Sequence, residues 1–224
     1  MNQKNLKLID GIVVTIDRDN IDTDQIIPTE YLKSIKKFGY EDYLFDGWRY
    51  LDKGKLGITS NERQKNEEFI LNRSPYDNSS VLLTRDNFGC GSSREHAVWA
   101  LRDFGIRAVI ASSFGDIFYN NCFKNGVLPI VLSKDNIEDL FQIFENTSSN
   151  IKILLDEKLI KLNDKEISFK VDNNLLERII FGLDDVDITL KNKEAIKIFE
   201  NKRAQRAKRE RRARRAEHPD WRLG

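Results

Sequence analysis

Apolar and polar positions along the chain follow two periods, which together predict an α/β protein. Short apolar, partly β-branched runs indicate buried strands, and apolar positions three and four apart indicate amphipathic helices. Strands are predicted at residues 11–16, 81–86, 108–111, 127–132, 151–155, 159–162 and 167–171. Helices are predicted at residues 97–104, 116–123, 137–144, 175–181 and 195–199.

The order of these elements predicts the sheet. Strand, helix, strand, helix and strand follow one another between residues 81 and 132, which is typical of parallel strands joined by right-handed crossovers. Asn163-Asp164 marks a turn between the last two strands. Residues 31–48 show no sustained period and are expected to form a short helix flanked by loops, and residues 52–80 are expected to be mostly loop.

A glycine-rich junction, residues 87–96, lies where a predicted strand passes into a predicted helix. Its two glycines permit positive φ angles, so that N–H groups of the first helical turn face any bound anion. Ser92, Ser93 and Arg94 would meet that anion together, which favours a site for a carboxylate or a phosphate. The structural alternative is a capping box, since Ser92 and Glu95 match S-x-x-E.

Other chemistries fit the chain less well. A Cys90 thiolate at a helix start would need a base, and the only histidines are His96 and His218. Two cysteines and two histidines at these separations do not form a zinc or iron–sulfur site. Asp22 and Asp24 could chelate a metal, but Asp22-Thr23-Asp24 is more typical of a turn. A catalytic serine would therefore need a Lewis acid from a partner chain.

Composition and charge separate the end of the chain from the rest. The chain has 224 residues, 40% hydrophobic and 33% charged, and we see neither a 20-residue apolar run nor a secretory signal, so a cytoplasmic protein without membrane contact is expected. Residues 201–224 carry ten Lys or Arg against three acidic residues, a net +7, which leaves −6 on the first 200. We expect a solvated or disordered tail, with RNA or another polyanion as the less favoured interpretation.

Four segments together carry a family resemblance. They are residues 22–28 (DTDQIIP), 87–96 (NFGCGSSREH), 113–118 (SFGDIF) and 125–129 (NGVLP). In this order they resemble the small subunit of bacterial isopropylmalate isomerase, or 3-isopropylmalate dehydratase, of the aconitase superfamily. The resemblance implies a three-layer β/β/α swivelling domain of the aconitase C-terminal type, with a largely parallel central sheet, over residues 1–200. The basic tail, residues 201–224, has no counterpart in the family.

The resemblance also implies a function and a partner. Members pair as heterodimers with a large subunit that carries a 4Fe-4S cluster, so no cofactor or metal is expected on this chain. The pair isomerises 2-isopropylmalate to 3-isopropylmalate, a hydroxy-dicarboxylate, by dehydration and rehydration in leucine biosynthesis. The alternatives are a small subunit for a methylmalate or homoaconitate dehydratase, and a polyanion-binding accessory protein that uses the basic tail.

Roles for individual residues follow from the resemblance. Ser92 would remove and return the carbon-bound proton, while Arg94, assisted by Ser93, would bind a substrate carboxylate. Asp22, Thr23 and Asp24 would face the cleft on the partner's side. The segment that contacts the substrate's side group corresponds here to Tyr31, Leu32, Lys33 and Ser34.

Overall fold

The structure, a computed structural model, describes residues 6–33, 36–145, 150–183, 185–191 and 193–217. The chain divides into two compact units, Met1–Gly182 and Leu183–Gly224. Across the described ranges, none of the helices is both long and apolar enough to cross a membrane. The expected boundary between a domain ending at residue 200 and a separate tail stays a prediction.

A seven-stranded mixed sheet forms the centre of the first unit. Its strands are β1 (Leu8–Ile16), β2 (Val81–Thr84), β3 (Ala108–Ala111), β4 (Leu128–Val131), β5 (Asn150–Leu154), β6 (Leu159–Leu162) and β7 (Lys165–Ser168). The spatial order is β4-β3-β2-β1-β5-β6-β7. Strands β1 to β4 pair in parallel, and β5 to β7 continue the sheet in antiparallel pairs beside β1.

Helices connect and cover these strands. They are α1 (Thr23–Ile26), α2 (Asp46–Arg49), α3 (Glu95–Phe104), α4 (Asp116–Lys124), α5 (Lys134–Phe144), α6 (Asn173–Phe181), α7 (Asp185–Lys191) and α8 (Lys193–Glu217). Short 3-10 helices occur at Thr29–Lys33, Glu41–Tyr43, Ser60–Glu62, Ile70–Asn72 and Tyr76–Asn78. The last two helices, α7 and α8, belong to the second unit.

Successive strand residues pack into two different cores, because side chains alternate between the two faces of a strand. In β1, Val13 belongs to the core that contains α5 and α6 residues, and Val14 belongs to the core that contains α3 residues. In β2 the same division separates Val81 and Leu83 from Leu82. The parallel strands are therefore covered on both faces, which explains their continuous apolar sequence.

The predicted α/β class is confirmed, with differences at the ends of elements. The bounds of β3 and β6 agree with the prediction. Strand β1 begins earlier, at Leu8, because its first half pairs with β5 and its second half with β2. In place of one helix, the described residues between 31 and 48 contain the end of the 3-10 helix Thr29–Lys33, the 3-10 helix Glu41–Tyr43 and most of α2. Helix α8 extends through the basic stretch to Glu217, well beyond the predicted end at 199.

Candidate active site

Backbone hydrogen bonds join the loops that follow β1 and β2 at the carboxyl edge of the parallel strands. The amide of Gly89 donates to the carbonyl of Ile21 at 2.7 Å, and the amide of Thr23 donates to the carbonyl of Cys90 at 3.0 Å. Ligands of open α/β sheets bind outside this edge. The glycine-rich junction is thus anchored at the edge where a site is expected.

The loop that follows β3 is joined to the same junction. Phe88 donates its amide to the carbonyl of Ser113 at 3.1 Å, and Gly115 donates to the carbonyl of Phe88 at 2.9 Å. Asp86 accepts hydrogen bonds from the hydroxyls of Ser112 and Ser113. The bond from Ser113 holds the pKa of Asp86 below its usual range, so this carboxylate is charged at neutral pH. Three loops therefore form one connected edge.

Gly89 is one position at which this arrangement leaves no room for a side chain. Its φ is +72°, and a Cβ atom there would lie 2.2 Å from the ring of Phe118 in α4. Glycine adopts such a φ without the steric cost that other residues pay. The glycine expected from the sequence to form a tight turn also permits the close approach of α4.

Ser92, Ser93 and Arg94 lie directly before α3. The backbone of Ser92 is held by Thr23, whose Oγ1 donates to the Ser92 carbonyl at 2.9 Å. Both serines are exposed. The Ser92 hydroxyl makes no hydrogen bond with any residue that the structure describes. The hydroxyl is therefore accessible to a ligand on a backbone that is itself fixed.

The capping-box alternative for Ser92 and Glu95 is wrong. The N-cap of α3 is Arg94, in an extended conformation, and its side chain makes no capping hydrogen bond in the described structure. Glu95 is the first helical residue, and its carboxylate accepts from the side-chain amide of Asn125 at 2.8 Å. The extended Arg94 delays the helix by two positions, so Ser92 stands too early to cap it.

Arg94 is paired with Asp24, one of the residues expected in the cleft. Its Nη1 donates to Asp24 Oδ1, and the hydroxyl of Thr29 donates to the same oxygen at 2.8 Å. The Arg94 side chain is only 12% exposed, whereas that of Asp24 is 52% exposed. The hydrogen bond from Arg94, ahead of that from Thr29, lowers the pKa of Asp24. Asp22, whose carboxylate caps α1, forms the turn predicted for this segment.

Tyr31 is anchored inside the protein. Its side chain is fully buried, its ring stacks on Tyr43 at 4.1 Å between centroids, and its hydroxyl donates to Asp46 at 2.9 Å. Arg63 Nη1 donates to the same Asp46 oxygen at 2.6 Å. Burial, together with the bond to Asp46, raises the pKa of Tyr31, so its hydroxyl stays protonated. The hydroxyl of Tyr31 is therefore engaged within this chain.

The rest of the predicted side-group segment differs in exposure. Leu32 is half-buried against the core that contains α3 residues, and Lys33 is exposed. Ser34 lies outside the described residues. Leu32 and Lys33 share the 3-10 helix that Tyr31 anchors, so their position depends on the contact between Tyr31 and Asp46.

The sequence did not reveal the residues that support Tyr31. Asp46 and Arg63 form a buried ion pair, with side chains 10% and 1% exposed. A Cβ atom on Gly54 would lie 1.9 Å from the Tyr31 hydroxyl and 2.5 Å from Arg63 Nη1. These residues come from segments without a hydrophobic period, so their signal was only a charged or glycine residue within a predicted loop.

The two cysteines and His96 are poorly suited to nucleophilic catalysis. Burial raises the pKa of the Cys90 thiol and, more strongly, that of the fully buried Cys122 thiol. Burial lowers the pKa of His96, whose ring contacts Trp99 at 4.5 Å between centroids. Thiolate formation is thus disfavoured, and the aromatic packing of His96 explains its place on α3.

The described residues contain no group of three His, Cys, Asp or Glu side chains that could hold a metal ion. An iron–sulfur cluster is usually held by several thiolates, and one of the two cysteines is fully buried in a core. The residues of this chain therefore do not fit such a cluster.

We expect Gly89→Ala to destabilise the protein more than Gly126→Ala. Both glycines have φ near +75°, but an added Cβ at Gly126 meets nothing within 4 Å. The control should lose about 1–2 kcal/mol from backbone strain alone. Gly89→Ala should lose roughly 1–3 kcal/mol more from overpacking against Phe118. Urea unfolding of the two variants measures the difference, and equal losses would contradict the steric role of Gly89.

Comparison with known proteins places this geometry in a family. The family model of the aconitase C-terminal domain, a sequence description of that family, matches residues 3–135. The 3-isopropylmalate dehydratase small subunit of Aromatoleum aromaticum is 49% identical over 197 residues, which cover 87% of this chain and 92% of that protein. The corresponding subunit of Ruthia magnifica is 50% identical over 190 residues, covering 85% and 91%.

A solved structure agrees with these relatives. The crystal structure of 3-isopropylmalate dehydratase from Methanocaldococcus jannaschii has a TM-score of 0.58 and 29% sequence identity, and the match covers 86% of this chain and 99% of that one. On this combined evidence, the chain belongs to the family of 3-isopropylmalate dehydratase small subunits, which are built on the aconitase C-terminal domain.

Proposed function

We propose that this chain, together with a large subunit, isomerises 2-isopropylmalate to 3-isopropylmalate in leucine biosynthesis. The reaction removes water from one isomer and returns it with the hydroxyl and the hydrogen exchanged between two carbons. The proposal rests on one observation. This chain, which is about half identical to named small subunits of this enzyme, presents Ser92, Ser93 and Arg94 together at an anchored loop edge.

Arg94 is proposed to bind a substrate carboxylate. Its planar guanidinium can donate two parallel hydrogen bonds, which suits a carboxylate better than a single ammonium does. In the structure one nitrogen donates to Asp24, a half-exposed carboxylate. Because the carboxylate side of this pair faces solvent, an incoming carboxylate can approach from there and share or replace Asp24 as the partner of the guanidinium. Ser93 is the neighbouring donor for the same group.

Ser92 is proposed to carry the proton. Its ionised oxygen would take a proton from one carbon, the C–H electron pair would form the double bond, and hydroxide would leave the next carbon with the electron pair of its C–O bond. Rehydration would reverse these steps in the other orientation. A serine alkoxide needs strong stabilisation near neutral pH. Arg94, two residues further along, and the N-terminus of α3 are proposed to supply part of that stabilisation.

The leaving hydroxyl needs an electrophile that this chain does not supply. We assign the 4Fe-4S cluster expected for this family to the large subunit, since the residues described here do not fit one. Asp22 and Asp24 are proposed to line the cleft towards that subunit. Thr23, also expected there from the sequence, is buried and holds the Ser92 backbone from behind. Leu32 and Lys33, with Ser34, are proposed to contact the substrate's side group.

The test of the reaction is reconstitution with the large subunit. We expect the anaerobically assembled pair to interconvert the isopropylmalates with a higher kcat/KM than it shows for methylmalate or homoaconitate. Each subunit assayed alone is the control and should be inactive. Faster turnover of another hydroxy acid would reassign the substrate, and full turnover by this chain alone would refute the partnership.

Ser92→Ala should abolish turnover without affecting association. Loss of a positioned proton carrier typically costs about 10²–10⁴-fold in rate. The matched control is Ser168→Ala, which removes an exposed hydroxyl on β7 and should leave kcat unchanged. Size-exclusion chromatography with the large subunit checks association for both variants. Near-normal kcat in Ser92→Ala would remove this serine from the mechanism.

Arg94→Lys should raise KM more than it lowers kcat. The lysine keeps the charge but loses one of two parallel hydrogen bonds. A loss of about 1.4 kcal/mol of binding free energy corresponds to a roughly 10-fold higher KM. Arg73→Lys is the control, since its exposed guanidinium bonds only the carbonyl of Glu67 in the described structure. An unchanged KM in Arg94→Lys would exclude the proposed contact.

A further inference from the structure

Helix α8 is a feature that the proposed reaction does not use. It runs from Lys193 to Glu217, a length of 25 residues. All the residues from 196 to 210 are exposed, and the described structure shows none of them packed in a core. A surface helix of a globular protein normally buries an apolar stripe. The sequence from 200 to 217 has only alanines as apolar residues, so α8 offers no such stripe there.

The charge on α8 is concentrated in a short length. Residues 202–215 contain nine Lys or Arg and one Glu, a net charge of +8. At about 1.5 Å per residue these charges occupy roughly 20 Å of helix axis. A nucleic-acid duplex carries one negative charge per about 1.7 Å of axis, or about twelve over the same length. The helix and the duplex thus carry comparable charge per unit length, of opposite sign.

The kind of cation is informative as well. Seven of the nine basic residues in this stretch are arginine, whose planar fork binds phosphate through paired hydrogen bonds. Arg206 donates to Glu210 at 3.1 Å, but Arg203 and Arg209 stand three residues from Arg206 on the helix and repel it. Phosphate groups would relieve this repulsion.

We propose that α8 binds the phosphate backbone of double-stranded nucleic acid, without base-sequence specificity. Helices that lie on membranes need large apolar side chains along one face. On α8 the exposed Ile196, Ile198 and Phe199 are confined to the first turns, and the basic stretch from 200 to 217 has none. The proposed occupant is therefore a duplex, with RNA and DNA sharing the recognised chemistry. This inference is independent of the proposed reaction and concerns a different unit of the chain.

The test measures binding of the full-length chain to fluorescently labelled 20-base-pair RNA and DNA duplexes by anisotropy. Six or more phosphate contacts predict a loss of affinity of roughly 10³-fold between about 50 and 200 mM salt. A variant with Arg203→Gln, Arg206→Gln, Lys208→Gln and Arg209→Gln should bind at least 10-fold more weakly at the lower salt concentration.

The control removes the same charge elsewhere. It carries Lys53→Gln, Lys65→Gln, Lys124→Gln and Lys170→Gln, four exposed lysines outside α8, and should keep the affinity of the unchanged chain. Stronger binding of RNA than DNA, or the reverse, identifies the source of the phosphates and supports the proposal. The absence of binding at low salt, equal losses in both variants, or tighter binding to polyglutamate or to anionic lipid vesicles would overturn it.

Discussion

The contact between the backbones of the first two loops determines where Ser92 and Arg94 stand. The hydrogen bonds from Gly89 to Ile21 and from Thr23 to Cys90 place one loop against the other. Each bond contributes only about 1 kcal/mol to stability. Together the two bonds fix the position of the loop backbone, and the side chains attached to that backbone are positioned with it. Ser92 and Arg94 then leave the junction from a fixed point, and α3 begins where they end.

Two ion pairs near the site have opposite physical characters. The pair of Arg63 and Asp46 is buried, and Arg63 is also bound by Asp52, so removal of Arg63 would leave the Asp46 carboxylate without its cation at a cost of about 3–5 kcal/mol. In the pair of Arg94 and Asp24 the guanidinium is largely buried and the carboxylate is half-exposed, so a ligand can reach this pair from the solvent side. The first pair therefore suits a fixed support, and the second suits the carboxylate binding proposed for Arg94.

The sequence predicted local periodicity well and long-range contacts poorly. Strand β3 was predicted to the residue because both faces of Ala108–Ala111 are buried and its run ends at polar residues. Strand β7 was placed too late because Ile167 and Phe169 continue the apolar alternation. The assigned strand pairing nevertheless ends at Ser168, since the partner strand begins at Leu159. Pairing, which sequence patterns do not show, determines that boundary.

The same limit applied to the site. The motif around Ser92 was visible because two glycines, two serines and an arginine are adjacent in sequence. The alternative interpretation of Ser92 and Glu95 as a capping box could be rejected only from the extended backbone of Arg94 in the structure. The supports of Tyr31 were invisible, because Asp46 and Arg63 are 17 residues apart and meet only through folding.

Exposure of the motif bears on how the proposed reaction can proceed. Ser92 and Ser93 face solvent in this chain, so a hydroxy acid bound there alone would keep much of its hydration. Water at this edge would solvate a serine alkoxide and a carbanion-like carbon of the substrate. It would also weaken every electrostatic contact with Arg94. A surface that covers this edge, displaces water and brings an electrophile would remove that obstacle. The exposed edge thus argues for half of an active site, for which the large subunit is the proposed complement.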